Sequence, residues 1–239
     1  MENNVNHEIM EVFTSEIDGL LEIFTRNGPI SKNGTFDADL VKKTINEMTS
    51  YIVKDSESAR ALKEWMDSHE FFTSPASARY HGNVKGGLAA HSLLVARQAL
   101  FYAKTMMQNF SESKIAGRYE VTAEDVYIAA ICHDFCKAGT YATEFRRTKD
   151  FSGNWVHEPY FKVKGDLRNL GHGNESVLLL LESMPEMLKR RHVLEAISRH
   201  MGFSDLSENE KINYSCFLQN PLVVLIQIAD QTAAQWWDI

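Results

Sequence analysis

The stretch Val126-Tyr127-Ile128-Ala129-Ala130-Ile131-Cys132-His133-Asp134-Phe135-Cys136-Lys137 decides how this chain is read. Residues 122–136 have the pattern of one helix, with Thr122 as N-cap and Asp125 at N3, a capping-box variant. On that helix His133 shares the core side with Val126, Ala129 and Ala130. Adjacent helical residues point about 100° apart, yet at a helix end His133 and Asp134 can converge on one ion. Lys137, four residues after His133 and three after Asp134, can reach the same pocket. A lone buried histidine is ordinarily a satisfied core residue. A His-Asp pair followed by lysine, closing an apolar helix, points to a site instead.

The flanking sequence is mainly helical. Residues 8–26 set Ile9, Val12, Phe13, Ile17, Leu20, Leu21 and Phe24 on one stripe, and Asn27-Gly28-Pro29 ends the helix. Further helices are predicted over 37–53, 56–70 and from Gly87 to Asn109, with residues 71–85 as a connector. Residues 140–151 and 155–164 are rich in Thr, Tyr, Phe, Trp and Val around Ser152-Gly153-Asn154, which predicts a β-hairpin. Helices over 174–184, 191–202 and 220–236 complete the pattern, with Pro221 at N1 of the last. The expected fold class is all-α, a helical bundle carrying one small β-hairpin insertion and N-terminal helices.

Composition narrows the function. The 239 residues carry a net charge of −7, nine histidines and three cysteines. The acidic balance opposes a coat for long nucleic acid, which needs a basic field. No window approaches the ~18 apolar residues of a membrane helix. Met1-Glu2-Asn3-Asn4-Val5-Asn6-His7-Glu8 has neither the basic nor the apolar region of a secretory signal. With an odd cysteine count, a reducing, cytoplasmic location is expected. No P-loop, dinucleotide fingerprint, nucleophile elbow, HExxH or CxxC motif is present. Chemistry must therefore come from histidines and carboxylates.

Asp230 closes Leu222-Val223-Val224-Leu225-Ile226-Gln227-Ile228-Ala229, apolar almost all round and expected to be buried. A buried carboxylate must be paired, hydrogen-bonded or on a metal; taken alone, a helix N-terminus or an arginine would serve as well. His91 lies among Leu88, Leu94 and Val95, and His200 is expected on the face of Val193, Ile197 and Met201. His172 sits between Gly171 and Gly173, which predicts close backbone approach. Singly, each histidine reads more readily as structural. Jointly, four histidines and two acids suit Mn, Fe, Co, Ni or Zn, and Mg less well.

The ordered set His91, His133-Asp134 and Asp230 resembles the HD-domain superfamily of metal-dependent phosphohydrolases. The likeness covers residues 71–236 and is strengthened by His-Asp-x-x-Lys, Gly171-His172-Gly173-Asn174-Glu175-Ser176 and Arg199-His200-Met201-Gly202. These stretches look like stand-alone HD proteins of phages and Gram-positive bacteria, and residues 75–92 resemble the HD domains of certain bacterial exoribonucleases. The resemblance implies an N-terminal helical extension over 1–70 packed on an HD domain over 71–239. It implies a first metal on His91, His133, Asp134 and Asp230, with Asp134 bridging to a second on His172 and His200. It also implies hydrolysis of a nucleotide or related phosphoester or phosphoanhydride by a metal-activated hydroxide, with Lys137 neutralising a phosphate oxygen.

Arg79 and His81 are candidate substrate contacts at the pocket entrance, and a surface connector serves equally well for them. The basic set Arg146, Arg147, Lys149, Lys162, Lys164 and Arg168 could steer a polyanion or form a solvated face. Cys132 and Cys136 read as packing residues, and His192 as a surface residue. The alternative functions are a di-iron oxygenase with the same ligand types, a 3'-5' exoribonuclease-like phosphodiesterase, and a regulatory protein. The expected partner is a small phosphorylated substrate rather than a membrane, with a homodimer as a further expectation.

Overall fold

A computed structural model describes residues 2–165 and 170–239. Three N-terminal helices come first, α1 (Glu2–Asn27), α2 (Ala38–Ile52) and α3 (Ser56–Ser68). They are followed by α4 (Gly87–Ser111) and α5 (Ala123–Cys132). The antiparallel pair β1 (Tyr141–Lys149) and β2 (Trp155–Val163) comes next, in the register Tyr141 opposite Val163 and Lys149 opposite Trp155. Then come α6 (His172–Ser183), α7 (Arg191–Ser198), two short helices α8 (Glu208–Ile212) and α9 (Tyr214–Phe217), and α10 (Pro221–Trp237). The fold is an all-α bundle with one hairpin, and among the described residues no helix is long and apolar enough to cross a membrane.

The bundle is organised around α4, which packs along α10, α5 and α1. Its inward face of Leu88, Leu93, Leu94, Ala96, Ala99 and Leu100 is buried. One apolar core runs from Phe13 and Ile17 of α1 through α2, α4 and α5 to Leu225 and Ala233 of α10. Burying each such leucine or isoleucine is worth about 1.5–3 kcal/mol, so the N-terminal helices share the core of the rest. The start of α4 is fixed by close approach. Gly86 takes a left-handed φ of 79°, and a Cβ on Gly87 would collide with the Gly82 carbonyl. Only glycine lets the connector press this tightly on the helix that carries His91.

Three expectations shift. The predicted helix over 122–136 stops at Cys132, and Phe135–Lys137 forms a separate 3-10 turn after Asp134 leaves helical geometry at ψ 24°. The helix expected to run to 202 ends at Ser198, so His200 lies in the following turn and not on the face of the exposed Met201. On α10, Ile228 faces solvent while Leu225, Ile226 and Ala229 are buried, so an apolar sequence does not make a helix buried all round. The short α8 and α9 follow no long apolar period and are absent from the predicted elements. Arg168 lies outside the described residues.

A polar clamp fixes where α5 begins. Thr122 and Asp125 form the reciprocal capping box. Arg190, before α7, reaches Asp125 Oδ1 at 3.0 Å and Glu124 Oε1 at 3.1 Å, and His192 lies 3.2 Å from Asp125 Oδ2. The clamp joins α5 to α7, whose far ends carry His133 and His200. Burial pushes the Asp125 carboxyl up, but the His192 and Thr122 contacts outweigh it and hold it below its ordinary value. Its stabilisation is therefore complete above the unfolded carboxyl pKa of about 3.9 and is lost as the pH falls. Urea denaturation of Asp125→Asn is expected to show a loss of about 2–4 kcal/mol at pH 7. The difference from wild type should close below about pH 4.

Candidate metal centre

Five elements deliver the polar cluster. His91 comes from α4, His133 from the C-cap of α5, and Asp134 from the residue after it. His172 begins α6, His200 follows α7, and Asp230 projects from α10. All six side chains expected from sequence meet in one place. His91, His133, Asp134 and His200 are buried, and Asp230 is 17% exposed.

The helix ends explain the convergence. α5 stops at Cys132, so His133 and Asp134 turn to one side of the chain and do not diverge as they would within a helix. Gly173 lies against α7, where a Cβ would strike the Ser198 carbonyl. That contact holds the first turn of α6 beside the end of α7, and so His172 beside His200, with ring centroids 5.6 Å apart. The glycine next to His172 is what allows this approach.

Asp134 sits at the middle with its two oxygens facing different partners. Oδ2 lies 2.6 Å from Lys137 Nζ, 3.3 Å from His133 Nε2 and 3.8 Å from His91 Nε2. Oδ1 lies 2.7 Å from His172 Nε2 and 3.5 Å from His200 Nε2. Asp230 Oδ1 is 3.1 Å from His91 Nε2 and 3.9 Å from His133 Nε2, on the Oδ2 side.

Ring orientation is fixed from behind. His91 Nδ1 donates to the Ile239 main-chain oxygen at 2.6 Å, His133 Nδ1 to Ala130 O at 2.7 Å, and His200 Nδ1 to Ile197 O at 2.7 Å. A carbonyl can only accept, so each Nδ1 carries a proton and each ring directs its Nε2 inward. Two of these, on His91 and His133, face each other at 3.3 Å. A third, His200 Nε2, is buried with no hydrogen-bond partner among the described residues. Buried ring nitrogens aimed at one another and at carboxylates suit a cation between them. The donor set therefore fits a divalent metal, and His91, His133 and Asp134 form one group whose atoms lie within 4.8 Å, as do His133, His200 and Asp230.

The acids and rings of the cluster compensate one another's charge. Burial pushes the Asp134 carboxyl up, but the Lys137 charge and the His133 and His172 contacts override it and hold it well below the usual range. Burial pulls His172 down, but its bond to Asp134 and the nearby Cys136 raise it to about 10. Asp230 is held low chiefly by His91 and His133, against its burial.

The remaining candidates divide. Lys137 is buried against Asp134, not solvated at a helix end. His81 lies against His91, with ring centroids 4.8 Å apart and the planes tilted by 38°. Burial, followed by the His91 and Lys137 charges, lowers its pKa to about 4, so it is neutral at pH 7. Arg79 is not in the cluster. It lines a cleft of about 750 Å³ with Asn83, Thr143, Arg146, Tyr160 and Phe161, between the connector and the hairpin. The hairpin's basic residues are internally matched: Arg146 pairs with Glu158, Lys162 with Glu144, and Arg147 and Lys149 lie over Trp155. Two neighbours of the cluster are not among the ligands expected from the sequence. Cys136 lies with Asp134 and His172 in a third group of candidate ligand atoms. The half-buried Tyr141 is raised by burial and feels the Lys137 and Asp134 charges. A continuous helix over 122–136 would turn Asp134 and Cys136 to opposite sides, which conceals the first.

Dialysis against a strong chelator is expected to lower the melting temperature, and re-addition of Co or Zn to restore it. Ligand at 100 times Kd adds about 2.7 kcal/mol. His200→Ala, which removes an unpartnered nitrogen, should bind less metal by atomic absorption while keeping the wild-type helical circular dichroism.

Comparison with known families agrees with this arrangement. A model of the HD domain matches residues 88–235, more than half of the chain and a span holding all six clustered residues and Lys137. No curated protein and no solved structure gives a match. The chain belongs to the HD domain family, a family of metal-dependent hydrolases.

Proposed function

We propose that this protein is a phosphohydrolase acting on a nucleotide or related phosphoester or phosphoanhydride at a dinuclear metal centre. The observation that carries the reading is the division of Asp134. One oxygen faces His91, His133 and the side of Asp230, and the other faces His172 and His200. A carboxylate with histidines on each oxygen suits two adjacent cations. The first set would be His91, His133, Asp134 and Asp230, and the second His172, His200 and the shared Asp134. Bound divalent ions supply Lewis-acid charge and a nucleophile from water at neutral pH, which suits in-line displacement at phosphorus.

The chain's own residues then have distinct tasks. The carbonyls behind His91, His133 and His200 hold the rings in one tautomer and one direction. Lys137 stands at the Oδ2 edge and supplies positive charge to a phosphate oxygen as negative charge builds there. His81, neutral against His91, walls the centre on the connector side. Arg79, in the cleft between the connector and the hairpin, offers a guanidinium fork to a second phosphate or a sugar edge. Its volume suits a single nucleotide, which favours a small substrate over long RNA. In this reading residues 1–70 are an extension packed on the catalytic domain of 71–239.

Phosphate release from a panel of nucleoside mono-, di- and triphosphates and cyclic nucleotides, with Mn, Co, Fe, Zn or Mg, tests the proposal. Activity is expected with at least one transition metal and should vanish in folded His133→Ala and Asp134→Ala. Lys137→Ala should lower kcat about 10²–10³-fold with bound metal unchanged. Arg79→Ala should raise KM with little change in kcat. Oxygen consumption with a mixed-valent iron signal, and no phosphate release, would overturn the hydrolytic reading in favour of an oxygenase.

A further inference from the structure

The HD-type ligand set is built of nitrogen and oxygen, but this centre has a sulfur at its edge. Cys136 Sγ lies with one oxygen of Asp134 and one ring nitrogen of His172, all within 4.8 Å of one another. We infer that the Cys136 thiolate is an additional ligand at the His172 side of the centre, giving that position a mixed sulfur, nitrogen and oxygen donor set. The inference rests on the metal-centre reading above and adds one ligand to it.

Three features support it. First, the cysteine is built into place. The main-chain N–H of Cys136 donates to Ser176 Oγ at 3.1 Å, and Ser176 Oγ donates to the His172 carbonyl at 3.3 Å. The 3-10 turn is thus tied to α6 one turn beyond His172. Second, the turn sorts neighbouring side chains. Lys137 is directed to Asp134 Oδ2, while Cys136 is grouped with His172, whose Nε2 faces Oδ1. Third, the Oδ1 side is short of partners. The His200 ring is buried, and its Nε2 stands 3.5 Å from Asp134 Oδ1 without a hydrogen bond among the described residues.

The other two cysteines differ. Cys132 is sealed in the apolar core, and burial pushes its thiol well up. Cys216 is exposed on α9. Only Cys136 is half-buried beside candidate ligands. On binding, its thiol proton passes to solvent as the metal–sulfur bond forms. A thiolate favours Zn, Fe(II) or Co(II) and disfavours Mg and Mn, so the two positions would differ in preference although they share Asp134.

Cobalt substitution reads this out without any substrate. Metal-free Cys216→Ser, which removes the exposed thiol, is titrated with Co(II), and visible and near-ultraviolet absorption are followed with metal content. Two equivalents of cobalt are expected, with a sulfur-to-cobalt charge-transfer band in the near-ultraviolet accompanying one of them. In Cys136→Ser and Cys136→Ala on that background the band should vanish while the visible cobalt bands of the first equivalent persist. Competition should move the second position towards Mn relative to Co. Cobalt bound without the band, or a band that survives both substitutions, would overturn the thiolate ligand and leave the metal centre standing. Failure to take up any cobalt would overturn the centre and the thiolate with it.

Discussion

The pairing of one buried carboxylate with its ring of nitrogens governs this structure. Asp134 is almost wholly removed from water. An isolated charge there would cost several kcal/mol. Lys137, His133 and His172 offset that cost, and each comes from a different piece of local structure. The end of α5, the 3-10 turn after it and the start of α6 must all be correctly formed for the carboxylate to be tolerated. The electrostatic demand of one side chain thus fixes the relative position of several helices.

The packing is arranged to meet that demand. α4 forms the spine, and its glycine start presses onto the connector so that His91 enters at the right depth. The clamp of Asp125, Glu124 and Arg190 sets α5 against α7 at the end remote from the cluster. Gly173 sets α6 against α7 at the near end. Rigid helices joined at both ends have little freedom to slide, and small shifts at either joint would move histidines out of mutual reach. The hairpin plays another part. Phe145, Phe151 and Trp155 on it are exposed, and it contributes a wall of the cleft rather than a share of the core.

Much of this is readable in the sequence. Long apolar periods declare α1, α4 and α10, because a stripe repeated over several turns is what a helix with one buried face produces. The six clustered side chains are legible for a related reason: ionisable residues inside apolar runs need a partner that the run itself cannot provide. The features that stay hidden depend on breaks shorter than a helical period. The single non-helical residue at Asp134 changes which side chains face together, and so Cys136 reads as packing in the sequence and stands beside the cluster in the fold. His192 has the look of a surface residue but serves the α5 clamp. Tyr141 opens a strand whose alternation says nothing of the helix end it meets. In each case tertiary contact, not local pattern, assigns the role.

The carbonyls behind the histidines have a meaning for assembly. Those of Ala130 and Ile197 belong to the last turns of α5 and α7, where carbonyl groups lack partners within their own helix. Each ring therefore completes a helix end at the same time as it presents a nitrogen. The donors are aimed by the folding of the helices themselves, before any ion arrives. A metal ion would then meet donors that the helices already hold, with Asp230 the partly exposed member of the set.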